Sequence, residues 1–112
     1  MFKKLLLFIF ITNFPIYLKA AEQFQLSAAE WAQPKRAETV LQMSAIRNGI
    51  NELNKNEKNR LTIRYPGGES GILWASELKG WLVSLGVDSN IIDMQPGSTK
   101  SNVLDLTVVP QK

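Results

Sequence analysis

The 112 residues contain neither cysteine nor histidine. Without cysteine there is no disulfide to staple the fold and no acylated thiol to tether a mature N-terminus to a membrane. The domain must hold together by its core alone. A chain of this length achieves that with a modest margin. Without histidine the commonest metal ligand and the commonest general base are both missing. No cofactor is implied, and the chain reads as a non-enzyme.

A long apolar run is also missing, except at the very start. Lys3 and Lys4 form a short positive segment, and the chain is then unbroken apolar from Leu5 to Ile11. Phe14 to Leu18 extends that run, Ala20 and Ala21 follow, and Glu22 and Gln23 open a polar segment. Charge, apolar core, small residues and a polar start are the order of a secretory signal peptide. The apolar core is too short to span a bilayer comfortably, and Pro15 interrupts it. We therefore expect residues 1–20 to be a signal peptide cleaved after Ala20, with cleavage after Ala21 the alternative. Residues 21–112 then form one small domain, periplasmic or secreted and not membrane-spanning.

An excess of positive charge is lacking as well. The precursor has 13 basic and 10 acidic residues. Lys3, Lys4 and Lys19 leave with the signal and no acid does, so the mature chain is neutral. A nucleic-acid partner requires a positive surface to offset phosphates, and attraction to anionic lipids requires a polybasic segment. The mature chain supplies neither.

What is present is a run of alternating elements. Ser27-Ala28-Ala29-Glu30 has the form of a capping box, and Phe24-Gln25-Leu26 alternates like a short strand. Val40, Met43, Ile46, Ile50 and Leu53 recur at intervals of three and four, which predicts one helix over residues 34–54. Gly49 weakens it locally. Residues 54–59 are polar and asparagine-rich and read as a loop. Leu61-Thr62-Ile63-Arg64-Tyr65 alternates as a half-buried strand, and Pro66-Gly67-Gly68 breaks it. A second helix follows, from Glu69 or Ser70 to about Leu85, with Trp74, Leu78, Trp81, Leu82 and Leu85 on its stripe. Leu85-Gly86-Val87 is a helix stop in which Gly86 takes the left-handed conformation. Ile91-Ile92-Asp93-Met94 is a short strand. Residues 103–109 form the last one, with Leu104, Leu106 and Val108 on one face and Asp105 and Thr107 on the other.

These elements predict an α+β fold in (β)αβαββ order: a two-layer sandwich whose mixed sheet carries two helices on one face. The strands flanking the second helix pair in parallel through a right-handed crossover. The last two strands are expected to form an antiparallel hairpin.

The strand at 61–65, the Gly-rich turn, the helix ending in Trp81-Leu82-Val83-Ser84-Leu85-Gly86-Val87 and the strand leading to a Pro-Gly loop together resemble the OmpA-like, peptidoglycan-associating domain. The resemblance covers roughly residues 24–109. It implies a ligand site in which an acid after the strand pairs the ammonium of diaminopimelate while a helix arginine forks onto its carboxylate. This chain departs from that pattern. The turn is Pro66-Gly67-Gly68, the arginine position falls near Trp74, and Lys79 is the only base in the helix. Glu69 with Arg64 remain as the weak ligand candidates.

Other motifs carry less. Ser76-Glu77-Leu78-Lys79 has the Ser-x-x-Lys form of penicillin-recognising enzymes, but the further motifs are absent and the domain is too small, so a solvated helix face is the better reading. Pro66-Gly67-Gly68-Glu69-Ser70 precedes a helix N-terminus, where free N–H groups can hold an anion. Glu69 opposes that, and a structural turn is preferred. Three tryptophans are many for so small a domain, and tryptophan is favoured at interfaces. Ile72 lies about 160° around the helix from Trp74, too wide an arc for one sheet face to cover. Trp81, flanked by Gly80, is the expected partner contact, with Trp74 beside it.

The function these features favour is that of an accessory or interaction protein of the bacterial cell envelope, one form being a component of a secretion or conjugation apparatus with an envelope protein as partner. The alternatives are an OmpA-like peptidoglycan-binding module with an altered site, and a secreted inhibitor or effector.

Overall fold

A computed structural model describes residues 21–110; the expected signal peptide lies outside the described residues. The order is β1 (Glu22–Ser27), α1 (Ala28–Trp31), α2 (Ala37–Gln42), α3 (Ser44–Leu53), β2 (Arg60–Tyr65), α4 (Glu69–Ser84), β3 (Ile92–Pro96) and β4 (Val103–Val109), with a 3-10 turn at Ser89–Ile91 before β3. The fold is α+β, with a four-stranded mixed open sheet in the order β1-β4-β2-β3. Helices α3 and α4 cover one face of it as a second layer. Among the described residues no helix is long and apolar enough to cross a membrane.

Alternation sorts the strands. Phe24 and Leu26, Leu61 and Ile63, Ile92, and Leu104, Leu106 and Val108 turn toward the helices and join the core. Gln23, Gln25, Thr62, Arg64, Gln95 and Thr107 take the outer face, as period-two patterning dictates. From the helical layer, Val40, Ile46, Leu53, Ala75, Leu78 and Leu82, with Met43 from the break between α2 and α3, join the core.

The strand pair β2–β3 is parallel, as the crossover rule requires. The expected β3–β4 hairpin does not form. β4 instead pairs antiparallel with both β2 and β1, leaving β3 at the edge. The cause lies in β4 itself. Its residues Val103, Leu104, Asp105 and Leu106 are all buried, which suits a central strand and not an outer arm. Residues 97–102 cross the end of β2, a step of about 10 Å, twice the strand spacing, which six residues span easily.

The single helix expected over residues 34–54 is two. Met43 takes extended backbone (φ −67°, ψ 120°) between α2 and α3. That break puts Met43 into the core at 4 % exposure. α2 starts three residues after Pro34, where Arg36 N donates to Thr39 Oγ1 at 2.8 Å. Other local readings hold. Ser27 Oγ accepts from Glu30 N at 3.1 Å and caps α1. α4 ends in a Schellman motif: Gly86 (φ 105°) donates to Val83 O, and Val87 N reaches Leu82 O at 2.9 Å.

Candidate functional site

Because β2 and β3 run parallel, both end at the same side of the sheet. Two segments meet there: the turn that leads β2 into α4, and residues 97–102, which return across the end of β2. Gly97 N and Ser98 N both donate to Tyr65 O, at 2.9 and 3.2 Å. Gly68 makes the helix entry with φ 92°, a conformation that suits only glycine. Gly71 then lets the first turn of α4 lie directly on the Pro66 backbone, with no room for a Cβ.

Between them lies an open groove of ≈ 540 Å³. Its walls are Pro66, Gly67, Ser70 and Trp74 on one side and Ser98, Thr99 and Lys100 on the other. Lys100 is the one charged residue among its lining. The N-cap Gly68 offers no side-chain hydrogen bond, and Glu69 in the first turn complements the helix dipole. Trp74 Nε1 is buried without a hydrogen-bond partner among the described residues.

The loop wall is fixed from beneath. Asp105 is 1 % exposed on the outer face of the sheet. Its Oδ2 accepts from Thr99 N at 2.6 Å and its Oδ1 from Thr99 Oγ1 at 3.2 Å. Gln25 Nε2 in turn donates to Thr99 Oγ1 at 2.9 Å. A central-strand carboxylate thus anchors the loop, and β1 braces it.

The structure does not join the two weak ligand candidates. Glu69 is exposed at the start of α4. Arg64 is exposed on the outer face of β2, in register with Asp105 and Gln95. The ion pairs among the described residues are Arg36–Glu38, Lys55–Glu52 and Arg60–Asp93, and neither candidate belongs to them. The Arg60–Asp93 pair is two-pronged, with Nε on Oδ2 at 3.1 Å and an Nη on Oδ1 at 3.0 Å. Those hydrogen bonds, more than the bare charge, hold the Arg60 guanidinium above its ordinary pKa.

Trp74 and Trp81 are half-buried and pack against the core. Trp81 and Gly80 border a shallow depression with Glu77 and Ser84. Trp31 is the buried tryptophan; its Nε1 donates to Glu77 Oε1 at 3.0 Å, tying α1 to α4, and Lys35 Nζ sits 4.6 Å from its ring centroid. The large exposed apolar residues of α4 are Ile72, Leu73 and Val83, at 45 %, 64 % and 43 %. The wide apolar arc of this helix is therefore real, but aliphatic side chains and not the indoles lie outermost. Ser76 is exposed and Lys79 half-buried on the same helix.

Sequence reasoning missed the Asp105 anchor, because alternation places Asp105 on a solvent face and the loop that covers it is set by long-range topology. It also missed a second recess at the other end of α4.

A comparison with protein-family models finds no match for this chain, and a comparison with curated proteins finds none.

Proposed function

We propose that this chain is an exported, non-enzymatic interaction domain of the bacterial cell envelope, working as an accessory component of a larger assembly such as a secretion or conjugation apparatus. The observation that carries the reading is the outward face of α4. Ile72, Leu73 and Val83 are exposed along a helix of 16 residues. Gly80 sits on the same helix with nothing within 4 Å of where its Cβ would be. Glycine in an open helix interior costs about 1 kcal/mol against alanine, and no contact among the described residues calls for it. Close approach of a partner backbone does. Half-buried Trp81 beside Gly80 adds an aromatic anchor of the kind that dominates interfaces. Export is supported by the N-terminal pattern of charge, apolar core and small residues.

The test is site-specific photo-crosslinking in the native cell. A crosslinker in place of Leu73 should trap an envelope protein, and one in place of exposed Asn51 on α3 should not. Mass spectrometry of the same fraction should find a mature chain starting at Ala21. Adducts at neither position, or a full-length chain in the inner membrane, would sink the proposal.

The groove at the end of β2 favours a second reading, a peptidoglycan-binding module with an altered site. The reading rests on the OmpA-like resemblance, which implies a ligand after this strand and an arginine position near Trp74; Trp74 lines the groove. Purified protein that co-sediments with peptidoglycan sacculi, and loses that property with Lys100→Ala, would promote this reading over the first.

A further inference from the structure

A cavity of ≈ 310 Å³ opens where α3 and α4 end, at the opposite end of α4 from the groove. Its floor is apolar. Leu53 closes α3 at 5 % exposure, and Leu85, Val87 and Ile91 are half-buried against the core. Its charge has one sign: Glu57 and Asp88 are the charged residues of the lining, and no basic residue is among them. Both helices point their C-terminal ends here, so two macrodipoles add negative potential to the two carboxylates.

Two of the lining acceptors, on Asp88 and Asn59, are held in place, while Glu57 is an exposed loop residue. Asp88 Oδ1 takes the N–H of Asn90 at 2.9 Å, capping the 3-10 turn, and a carboxylate keeps further acceptor capacity beyond one bond. Asn59 is 7 % exposed, and its Nδ2 donates to Glu52 O at 3.0 Å, so the acceptor this lining residue retains is its Oδ1. The cations nearby are engaged or outside. Lys55 bonds Glu52 at 2.9 Å, Arg60 is held by Asp93 and Asn90 O, and Lys58 is exposed and does not line the cavity.

We propose that this cavity receives a lysine or arginine side chain from a partner polypeptide, with the methylene stem on the apolar floor and the cation between Asp88 and Glu57. Long basic side chains divide in this way between an apolar stem and a polar head. The volume sits at the low end for small-molecule sites, enough for one side chain. A polypeptide source suits the lining, since exposed Asn54 and Asn56 carry side-chain amides, the Oδ1 of Asn56 already accepting from Lys58 N at 2.8 Å, and such amides match flanking peptide groups. This inference does not rest on the export reading or on the outward face of α4.

The experiment is an amide-resolved NMR titration of the purified protein with the capped tripeptide acetyl-Ala-Lys-Ala-amide, at up to about 10 mM, enough to detect a Kd near 1 mM. The controls are the same peptide with norleucine for lysine, and free cadaverine. Amides in residues 54–59 and 85–91 should shift with the lysine peptide and stay still with the norleucine peptide. Asp88→Asn together with Glu57→Gln should weaken binding at least about tenfold, the factor that 1.4 kcal/mol represents. Asparagine retains an oxygen for Asn90 N, and unshifted core amides in the double variant confirm its fold. No shift in those two segments, equal binding of the norleucine peptide, or cadaverine binding as tightly as the peptide would each overturn the proposal.

Discussion

Replacing Gly71 by alanine tests the packing of α4 against β2 more sharply than any other single substitution. By helix propensity the change is favourable, because alanine in a helix interior gains about 1 kcal/mol over glycine. The structure reverses the sign. A Cβ at Gly71 would overlap Pro66 O and lie 2.8 Å from Pro66 C and 3.4 Å from Pro66 N. All three are backbone atoms, so no side-chain rotation relieves the clash. Relief requires either the Pro66–Gly68 turn or the helix to move by roughly 1 Å, and both are pinned. The turn follows Tyr65, whose carbonyl takes two N–H groups from residues 97 and 98. The helix is fixed by Ala75 and Leu78, each at 0 % exposure. A clash with backbone atoms falls at or above the top of the about 1–3 kcal/mol that overpacking costs, so after the propensity gain Gly71→Ala should still lose about 2 kcal/mol net, a large share of the ~5–10 kcal/mol such a domain holds. Gly80→Ala is the internal control, on the same helix with nothing within 4 Å of the new methyl. It should gain about 1 kcal/mol, or roughly 4–8 °C in Tm. Denaturant unfolding followed by tryptophan fluorescence measures both, and the m-value should not change. A Gly71→Ala protein as stable as the parent would show that α4 does not press on Pro66 and would remove the basis for the groove wall.

Trp31→Ala should cost about 3–5 kcal/mol as a large-to-small core change, and Trp81→Ala, at a half-buried site, distinctly less; equal losses in chemical denaturation would put Trp81 in the core and remove the aromatic anchor from the partner surface. Asp105→Ala removes the carboxylate acceptor of Thr99 N and Thr99 Oγ1, at about 1.5–3 kcal/mol for hydrogen bonds to a charged group, and hydrogen exchange at residues 97–102 should accelerate; unchanged exchange there would refute the anchor. Asp93→Asn should lower Tm slightly at low salt and by less at high salt, because both members of the pair with Arg60 are half-exposed and reached by salt; a salt-independent loss would mean the pair acts through packing. Gly80→Ala should also weaken crosslinking at Leu73 while raising stability, and a variant that gains stability with undiminished crosslinking would exclude close backbone approach at Gly80.

Local signals in this chain are faithful and long-range ones are not. The Ser27 cap, the Gly86 stop and the alternation of β2 each depend on a few neighbouring residues, and each appears where periodicity and turn chemistry place it. Met43 shows the limit of periodicity. Its spacing from Val40 and Ile46 is helical, yet it reaches the core through an extended backbone that breaks the helix, because a stripe of apolar residues records burial and not backbone continuity. β4 shows the limit of proximity. A short connection suggests a hairpin, but Val103 to Leu106 are buried on both faces, which suits a central position, and strand order follows burial. Asp105 shows the same limit for the site. No spacing of its own announces that Thr99 will fold over it. The tryptophans reveal a further bias: indoles draw the eye as interface residues, whereas the outermost side chains are Ile72, Leu73 and Val83.

Exposed Leu41 on α2 stands apart, but most of the features that the fold leaves without an internal purpose lie along α4. Its 16 residues span about 24 Å, so the groove at its start and the cavity at its end are too far apart for one small ligand. Their charge also differs. The groove is lined by Lys100 at the positive end of the helix dipole, and the cavity by Glu57 and Asp88 at the negative end. Ile72 and Leu73 lie exposed near the start of α4 and Val83 near its end, with exposed Ser76 and Glu77 between them. In the proposed reading a polypeptide laid along α4 gains from each of these contacts without any one being strong, as linked contacts do. The buried side of the same helix, through Gly71, Ala75, Leu78 and Leu82, fixes it rigidly to the sheet, which preorganises the outer side and spares a partner the entropy of ordering it.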